Sequence, residues 1–420
     1  MRGSPASFIA LRYLAGRAKE GGRYLRGAAA GIALSLVPIV VTLIVSDGMI
    51  RGITDRYLEL GTGHIQVYNY FDRANPQDAR LLIEGMEGVR GVWEERHGLG
   101  VLLGRNGSQG TTIRAVEAGF LADPSAAQYL EVLAGSGALE GDDEVLLGEE
   151  LARAVGAEPG GRVRVMTMRT TEDGRGVPRV TLFTVKGIVS SGYRELDALW
   201  CLTSLEAGKK ILAPEASDAF LTVKIDDPYG GVEDLGLALY QMLGYGYGIY
   251  TWQSLQRAQY SSYESTRQLL LFIMALIVLV AAVNVSSATA MLAIDRRRDI
   301  AIFKTGGMGA GLCRRIFLWG SFLTGGIGAV IGIAAGLAIG VNINALIRGL
   351  EAVSRWFAAV FLGGPREGAA SYYLQRIPVI VDWRAVLLIG IFTVLCSCLA
   401  SWIPARRAGK LKPVEVLRKY

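Results

Sequence analysis

Residue types that ordinarily carry chemistry are sparse in this chain and poorly placed for catalysis. His64 and His97 are isolated, and no H-E-x-x-H, C-x-x-C or G-x-S-x-G pattern occurs. Both histidines therefore read as structural, and no metal site is expected. The Gly-Lys pairs, Gly208-Lys209 and Gly409-Lys410, lack the preceding glycine and following hydroxyl of a phosphate loop. The chain should neither bind ATP in that way nor act as an enzyme. Three stretches suggest contact rather than catalysis. Asp295-Arg296-Arg297-Arg298-Asp299 leads into Ile300 to Thr305, where Ile302 and Phe303 are apolar and Lys304 is charged. This reads as a short amphipathic piece offered to a partner, or as a solvated connection. Arg169 to Arg179, with Asp173, Gly174, Arg175, Gly176, Val177 and Pro178, predicts a hairpin or protruding loop, either a binding element or a plain connection. Asn284, Ser286, Ser287 and Thr289 make an otherwise apolar segment partly polar, for hydrogen bonds between helices or for substrate contact.

The elements that must position these residues are membrane spans. The sequence has 420 residues, 51% hydrophobic, with 54 glycines and net charge +6. Its mean hydropathy of +0.33 is too high for an ordinary soluble protein. Gln268 to Ile294 holds 27 residues without a formal charge, more than the about 20 that cross a hydrocarbon core. Gly27 to Ser46, Ile316 to Ile347 and Ala385 to Ala405 are uncharged runs of 20, 32 and 21 residues. Basic clusters at the N-terminus, at Arg296 to Arg298 and at Arg406 to Lys412 flank them, as positive-inside topology requires, so the charge needs no nucleic-acid partner. Four spans with both termini cytoplasmic satisfy every cluster. No small-x-small cleavage site follows the first run, so it reads as a retained span, bent at Pro38. Gly328, Gly332, Gly336 and Gly340 recur every fourth residue and leave one helix face open to close packing.

Between spans one and two lies the large hydrophilic block. Residues 63–68, 162–165 and 221–225 alternate polar and apolar, as strands do. Residues 78–86, 149–155 and 231–243 read as amphipathic helices, the second closed by Gly156. The expected fold is an α-helical membrane protein of four spans, with an outward-facing α/β domain of two subdomains inserted between helices one and two. The expected divisions are 1–26 cytoplasmic, 27–48 span one, 49–265 outward domain, 266–294 span two and 295–314 cytoplasmic segment. Span three follows over 315–347, a short outward loop over 348–383, span four over 384–405 and a cytoplasmic tail over 406–420. Pro38, Val41 and Ile44 in span one, with Ile273, Leu276 and Val280 in span two, are candidates for a lipid cavity by helical spacing, and packing residues would look the same.

Several runs carry a family resemblance. Phe8 to Leu14, Val145 to Ala152, Phe183 to Ile188, Asn284 to Ser287, Asp299 to Gly307, Pro404 to Ala408 and Pro413 to Arg418 resemble, in order, ABC transporter permeases of the FtsX and MacB-like family. Asp299 to Gly307, with the N-x-S-S run before it, is most similar to the lipoprotein-releasing branch. The resemblance implies an inner-membrane permease dimer, of two copies or of two paralogues, working with a cytoplasmic ATPase dimer that holds ATP and Mg. It implies a coupling helix over Asp299, Ile300, Ile302, Phe303, Lys304, Thr305 and Gly306 that enters a groove of the ATPase. It further implies a mechanical stroke passed to the periplasmic domain, which lifts acylated lipoproteins from membrane lipid. In the branch a periplasmic hairpin grips the soluble carrier, and Arg169, Asp173, Arg175, Val177, Pro178 and Arg179 occupy the matching place. Gly306-Gly307 departs from the family pattern and should end the coupling helix early, at about 1 kcal/mol per glycine. Alternatives are FtsX-like signalling to a cell-wall hydrolase, and export of a peptide or small amphiphile.

Overall fold

The computed structural model describes residues 22–70, 76–170, 176–361 and 378–411. Two compact units emerge, one holding the apolar helices and the other comprising Ile50–Ser261. Helix α1 (Gly22–Arg56) continues through Pro38. A wider π-type turn, Tyr57–Thr62, then carries the chain to Gly63. Gly63 takes φ of 67°, and a Cβ there would fall 2.2 Å from the Thr222 methyl, so only glycine fits.

The α/β unit is one ten-stranded sheet among the described residues. Its strands are β1 (Ile65–Asn69), β2 (Val89–Leu103), β3 (Ser108–Val116), β4 (Glu131–Gly135) and β5 (Glu144–Gly148), then β6 (Arg162–Thr170), β7 (Gly176–Ser190), β8 (Trp200–Ser204), β9 (Ser217–Ile225) and β10 (Tyr247–Thr251). The longer helices that accompany them are α2 (Pro76–Glu84), α3 (Glu149–Val155), α4 (Leu205–Ile211) and α5 (Val232–Leu243). The order is β10-β1-β9-β2-β3-β8-β5-β7-β4, and β6 pairs with both β2 and β7. That double pairing closes β2, β3, β8, β5, β7 and β6 into a small barrel. Alternate residues point inside: Leu102, Ile113, Val145, Val163, Phe183 and Cys201 form its core, with Leu151, Val155 and Ile211 from α3 and α4. Each large side chain buried there contributes about 1.5–3 kcal/mol. A second core lies on β1, β9 and the first half of β2, where Ile65, Val92 and Val223 meet Ala79 and Ile83 of α2 and Val232 and Leu239 of α5. The two expected subdomains are thus two cores on one sheet, and the 15-residue β2 belongs to both. Gly156 closes α3 in the left-handed region at φ 67°.

The membrane unit resumes with α6 (Arg257–Asp295), α7 (Arg297–Thr305), α8 (Ala310–Val341), α9 (Ile343–Phe361), α10 (Trp383–Ala400) and α11 (Trp402–Gly409). Among the described residues, four helical stretches, α1, α6, α8 and α10 with α11, are long and apolar enough to cross a membrane. Span four is interrupted at Ser401 because Pro404 supplies no N–H to the Ala400 carbonyl and its ring crowds it. The freed carbonyl accepts from Ser286 Oγ of α6 at 2.8 Å. The uncharged run 316–347 is not one helix: α8 stops at Val341, Asn342 leaves helical geometry, and α9 begins. The short loop expected over 348–383 therefore contains most of a helix in its described part. Hydropathy alone merged α8 with α9, since Ile343, Leu346 and Ile347 extend the apolar run past the true end.

Candidate functional site

Only Arg296 separates α7 from α6. Its Nη1 donates to Asp299 at 3.1 Å. Ile300 points inward and joins Leu25, Leu292, Cys313, Phe317 and Ala405 in an apolar cluster. Lys304 Nζ donates to the Gly409 and Leu411 carbonyls, 2.7 Å each, where the end of α11 leaves orphan acceptors that favour a cation. Ile302 and Phe303 face away, 52% and 42% exposed. Thr305 Oγ1 donates back to the Ile302 carbonyl, Gly306 caps the helix, and Gly307 takes φ of 92°. The expected contact set is thereby divided into inward-held and outward-facing residues. Ile300 and Lys304 are spent on holding α7 to the membrane unit, and the apolar surface open to a partner is Ile302 and Phe303. The glycine pair does end the helix at Thr305.

Hairpin β6–β7 is longer in strand and shorter in loop than its sequence suggested. Thr170 pairs with Gly176, Arg169 with Val177, Met168 with Pro178 and Thr167 with Arg179. Asp173 and Arg175 lie outside the described residues. Val177, Pro178 and Arg179 are strand residues, not loop residues. Met168, Val177, Val180 and Leu182 are exposed on the ribbon, which gives it an apolar character. Arg179 Nη1 donates to the Lys210 carbonyl at 2.6 Å, and Thr167 Oγ1 to the Ile211 carbonyl at 2.9 Å, so α4 steadies the base.

The six cavity candidates are not brought together. Ile44 is 1% exposed and packs on Gly340, which corrects its assignment to a packing residue. Pro38 is exposed and Val41 half-buried. Ile273, Leu276 and Val280 lie on the outer face of α6, 43%, 56% and 58% exposed. The opposite face, Met274, Val278, Ala281 and Val285, packs against Ile39 and Leu43 of α1 and Ala329 of α8. An apolar groove of about 460 Å³ exists elsewhere, between Leu25, Ala33 and Val37 of α1 and Ile327, Ile331 and Ala335 of α8.

The glycine row of α8 lies directly on α1. A Cβ at Gly328 would sit 2.8 Å from the Ala29 carbonyl oxygen, one at Gly332 2.8 Å from that of Ala33, one at Gly336 2.7 Å from Val40 Cβ and one at Gly340 2.6 Å from Ile44 Cδ1. The absent side chains admit the backbones to contact. Beside this pair, Thr289 of α6 reaches Ser321 Oγ of α8 at 3.1 Å and Ser401 Oγ at 3.3 Å, while Asn284 and Ser287 are exposed.

Sequence reasoning missed a buried ionic joint at the far end of α1. Lys224, fully buried on β9, meets Asp123 at 2.6 Å and Glu59 of the π-type turn at 3.1 Å. His64 Nε2 lies 3.3 Å from Glu59, and its Nδ1 accepts from the Ile225 N–H. Two strands over, on β3, Arg114 donates to Glu95 of β2 at 2.6 Å and to the Leu60 carbonyl. Thr222 Oγ1 and His97 Nε2 also reach Glu95, at 2.6 and 2.9 Å. Burial pushes the Glu95 carboxyl up, but the Arg114 guanidinium, with His97 and Thr222, outweighs it and holds the group at about 2. These charges are scattered through the sequence, on strands, on the π-type turn and at Asp123 outside the sheet, and no local pattern marks them. Cys201, by contrast, is inert: burial in the barrel pushes its thiol to about 12.

Two family models account for most of the chain. Residues 27–228 match the MacB-like periplasmic core domain, and residues 271–413 match the FtsX-like permease C-terminal region. The chain is a permease of the FtsX and MacB-like family. The permease is 26% identical to the lipoprotein-releasing system transmembrane protein LolC of Neisseria meningitidis, over 98% of both chains. It is 27% identical to LolE of Haemophilus influenzae over 54% of this chain and 52% of that one. Among solved structures, the periplasmic region of MacB from Actinobacillus actinomycetemcomitans is similar at 15% identity and TM-score 0.32, covering 48% of the permease and 94% of that chain. The match to the MacB-like periplasmic core domain makes the α/β unit of the permease a domain of periplasmic type, set between its first and second membrane helices.

Proposed function

We propose that this permease is the membrane subunit of a lipoprotein-releasing transporter. It takes acylated lipoproteins from the outer leaflet of the inner membrane and passes them to a soluble periplasmic carrier. The observation that carries the reading is the likeness, end to end over 98% of both chains, to a protein named for lipoprotein release. A separate cytoplasmic ATPase dimer, with its own ATP and Mg, supplies the work, and a second copy or a paralogue completes the membrane part. Work is needed because withdrawing acyl chains from a bilayer costs about 0.8 kcal/mol per CH₂.

The geometry supports a division of labour within this scheme. Ile302 and Phe303 are the apolar pair that α7 offers to the ATPase, and Lys304 holds α7 to α11 so that a push is not dissipated. The uncovered face of α6 at Ile273, Leu276 and Val280 suits an acyl chain or the second permease. The apolar β6–β7 ribbon is the element available to a carrier. Copurification from native membranes in mild detergent, followed by ATP-dependent release in vitro, tests the reading. The expected result is an ATPase that accompanies the chain and transfer of a triacylated lipoprotein to a soluble carrier. A complex that hydrolyses ATP and transfers no lipoprotein to any carrier would sink it, and a hydrolase in place of the carrier would point to signalling. Phe303→Ala should weaken ATPase association roughly 30-fold, the effect of losing one interface hot spot of about 2 kcal/mol, and leave the fold intact.

A further inference from the structure

We propose that α9 lies along the membrane surface, its apolar face in the lipid and its polar face in the headgroup layer, on the side of the bilayer opposite Arg314 and Arg315. Length places its start there. From Ile316 to Val341, α8 has 26 uncharged residues, about 39 Å at 1.5 Å per residue. A hydrocarbon core is about 30 Å thick, and about 40–45 Å with its headgroups. Asn342 therefore emerges at headgroup level, and α9 begins at the next residue. A helix that starts at this depth meets lipid with whichever face it leaves uncovered.

The two faces of α9 are chemically distinct. Leu346, Leu350, Val353 and Trp356 are each more than half exposed and recur at intervals of four, three and three residues, within about a third of the helix circumference. Asn344 and Arg348 lie nearly opposite, and Arg348 Nε donates to the Asn344 carbonyl at 3.2 Å. Ile343, by contrast, is buried against the membrane unit. An apolar face of leucine and tryptophan backed by a basic, polar face is the composition of interfacial helices. Trp356 also suits that depth, since an indole has an apolar body and one polar N–H. The helix would fix the height of α8 in the bilayer, and with it the α1 helix that packs on the α8 glycines.

Depth-dependent quenching tests this with the full chain in lipid nanodiscs. The emission of Trp356 is read as the difference between the wild type and Trp356→Phe, a substitution that keeps an aromatic ring on an exposed surface. The expected difference signal is blue-shifted from aqueous tryptophan. Lipids brominated near the carbonyl end of the chain should suppress it more than lipids brominated near the methyl end, and acrylamide should quench it weakly. A signal at the aqueous position that acrylamide quenches and bromines do not would overturn the proposal in favour of a solvated helix. A blue-shifted signal insensitive to both would overturn it in favour of a protein covering, such as a second copy of this chain.

Discussion

The first membrane helix and its continuation are held in two places, by opposite physics. In the membrane, α1 rests on four glycines of α8, with no charge in the contact and backbones within van der Waals reach. Beyond it, the turn Tyr57–Thr62 is held to β3 and β9 by Arg114, Lys224, Glu59 and Glu95, nearly all charge, with every member but the half-buried Glu59 fully buried. The contrast follows from the solvent each must compete with. In lipid there is no hydrophobic drive between helices, so shape and close approach do the holding. In the aqueous domain the ionic joint has already lost its water, and removing one partner strands the other. A glycine joint should be insensitive to pH and intolerant of volume; an ionic joint should show the reverse.

The largest effect expected is at Gly332. Its missing Cβ would fall 2.8 Å from both the Ala33 carbonyl oxygen and Leu36 Cβ, so neither backbone nor side chain has room to yield. Gly332→Leu should abolish recovery of monodisperse protein in detergent, and Gly332→Ala should lower its stability by about 1–3 kcal/mol. Wild-type yield and melting temperature in Gly332→Leu would show that α1 and α8 are not in contact. At the ionic joint, Glu95→Ala should destabilise by about 3–5 kcal/mol, because Arg114 is left charged and buried. The paired replacement Glu95→Leu with Arg114→Met should recover much of that loss in the same melt. If the double replacement is as unstable as the single one, stranded charge is not the cause.

Acid should separate the joints next. The Glu95 carboxyl titrates at about 2 in the fold and near the ordinary carboxylate value when unfolded. Its stabilising contribution is therefore complete above about pH 4.5 and is lost as pH falls from there toward 2. The protection factors of the β2 and β9 amides, each referred to the intrinsic exchange rate at that pH, should fall over that window in the wild type and less steeply in Glu95→Gln. The α1 and α8 amides should show no such dependence on this carboxyl. Equal acid sensitivity of both regions would remove the distinction.

What the sequence made legible divides along the same line. Spans, the inserted α/β block, the strands at 162–165 and 221–225 and the glycine row are local or periodic, and periodicity survives in one dimension. The barrel closure is not, because the β6–β7 hairpin closes it only by pairing β6 with β2, some 60 residues away. Nor is the ionic joint, whose members lie between Glu59 and Lys224. Lys304 was legible as a charge on a short helix but not as a cap, since Gly409 and Leu411 are a hundred residues on. The α8–α9 boundary was hidden by composition: Asn342 interrupts a run that hydropathy reads as continuous.

The smallest expected effect sharpens the comparison by showing a surface that belongs to neither joint. On α6, Leu276 and Val280 are more than half exposed, and the helix is held by its opposite face through Met274, Val278 and Val285. Removing methyl groups from an uncovered face creates no cavity and strands no polar atom. Leu276→Ala and Val280→Ala should therefore each change the melting free energy of the solubilised chain by no more than about 0.5 kcal/mol, whereas Val278→Ala, on the packed face, should cost about 1–3 kcal/mol. If Leu276→Ala is silent in the melt but lowers lipoprotein transfer, the open face serves substrate or a second permease. A large loss of stability at Leu276 in the isolated chain would instead mean that this face is already packed, and the division between held and open helix surfaces would have to be redrawn.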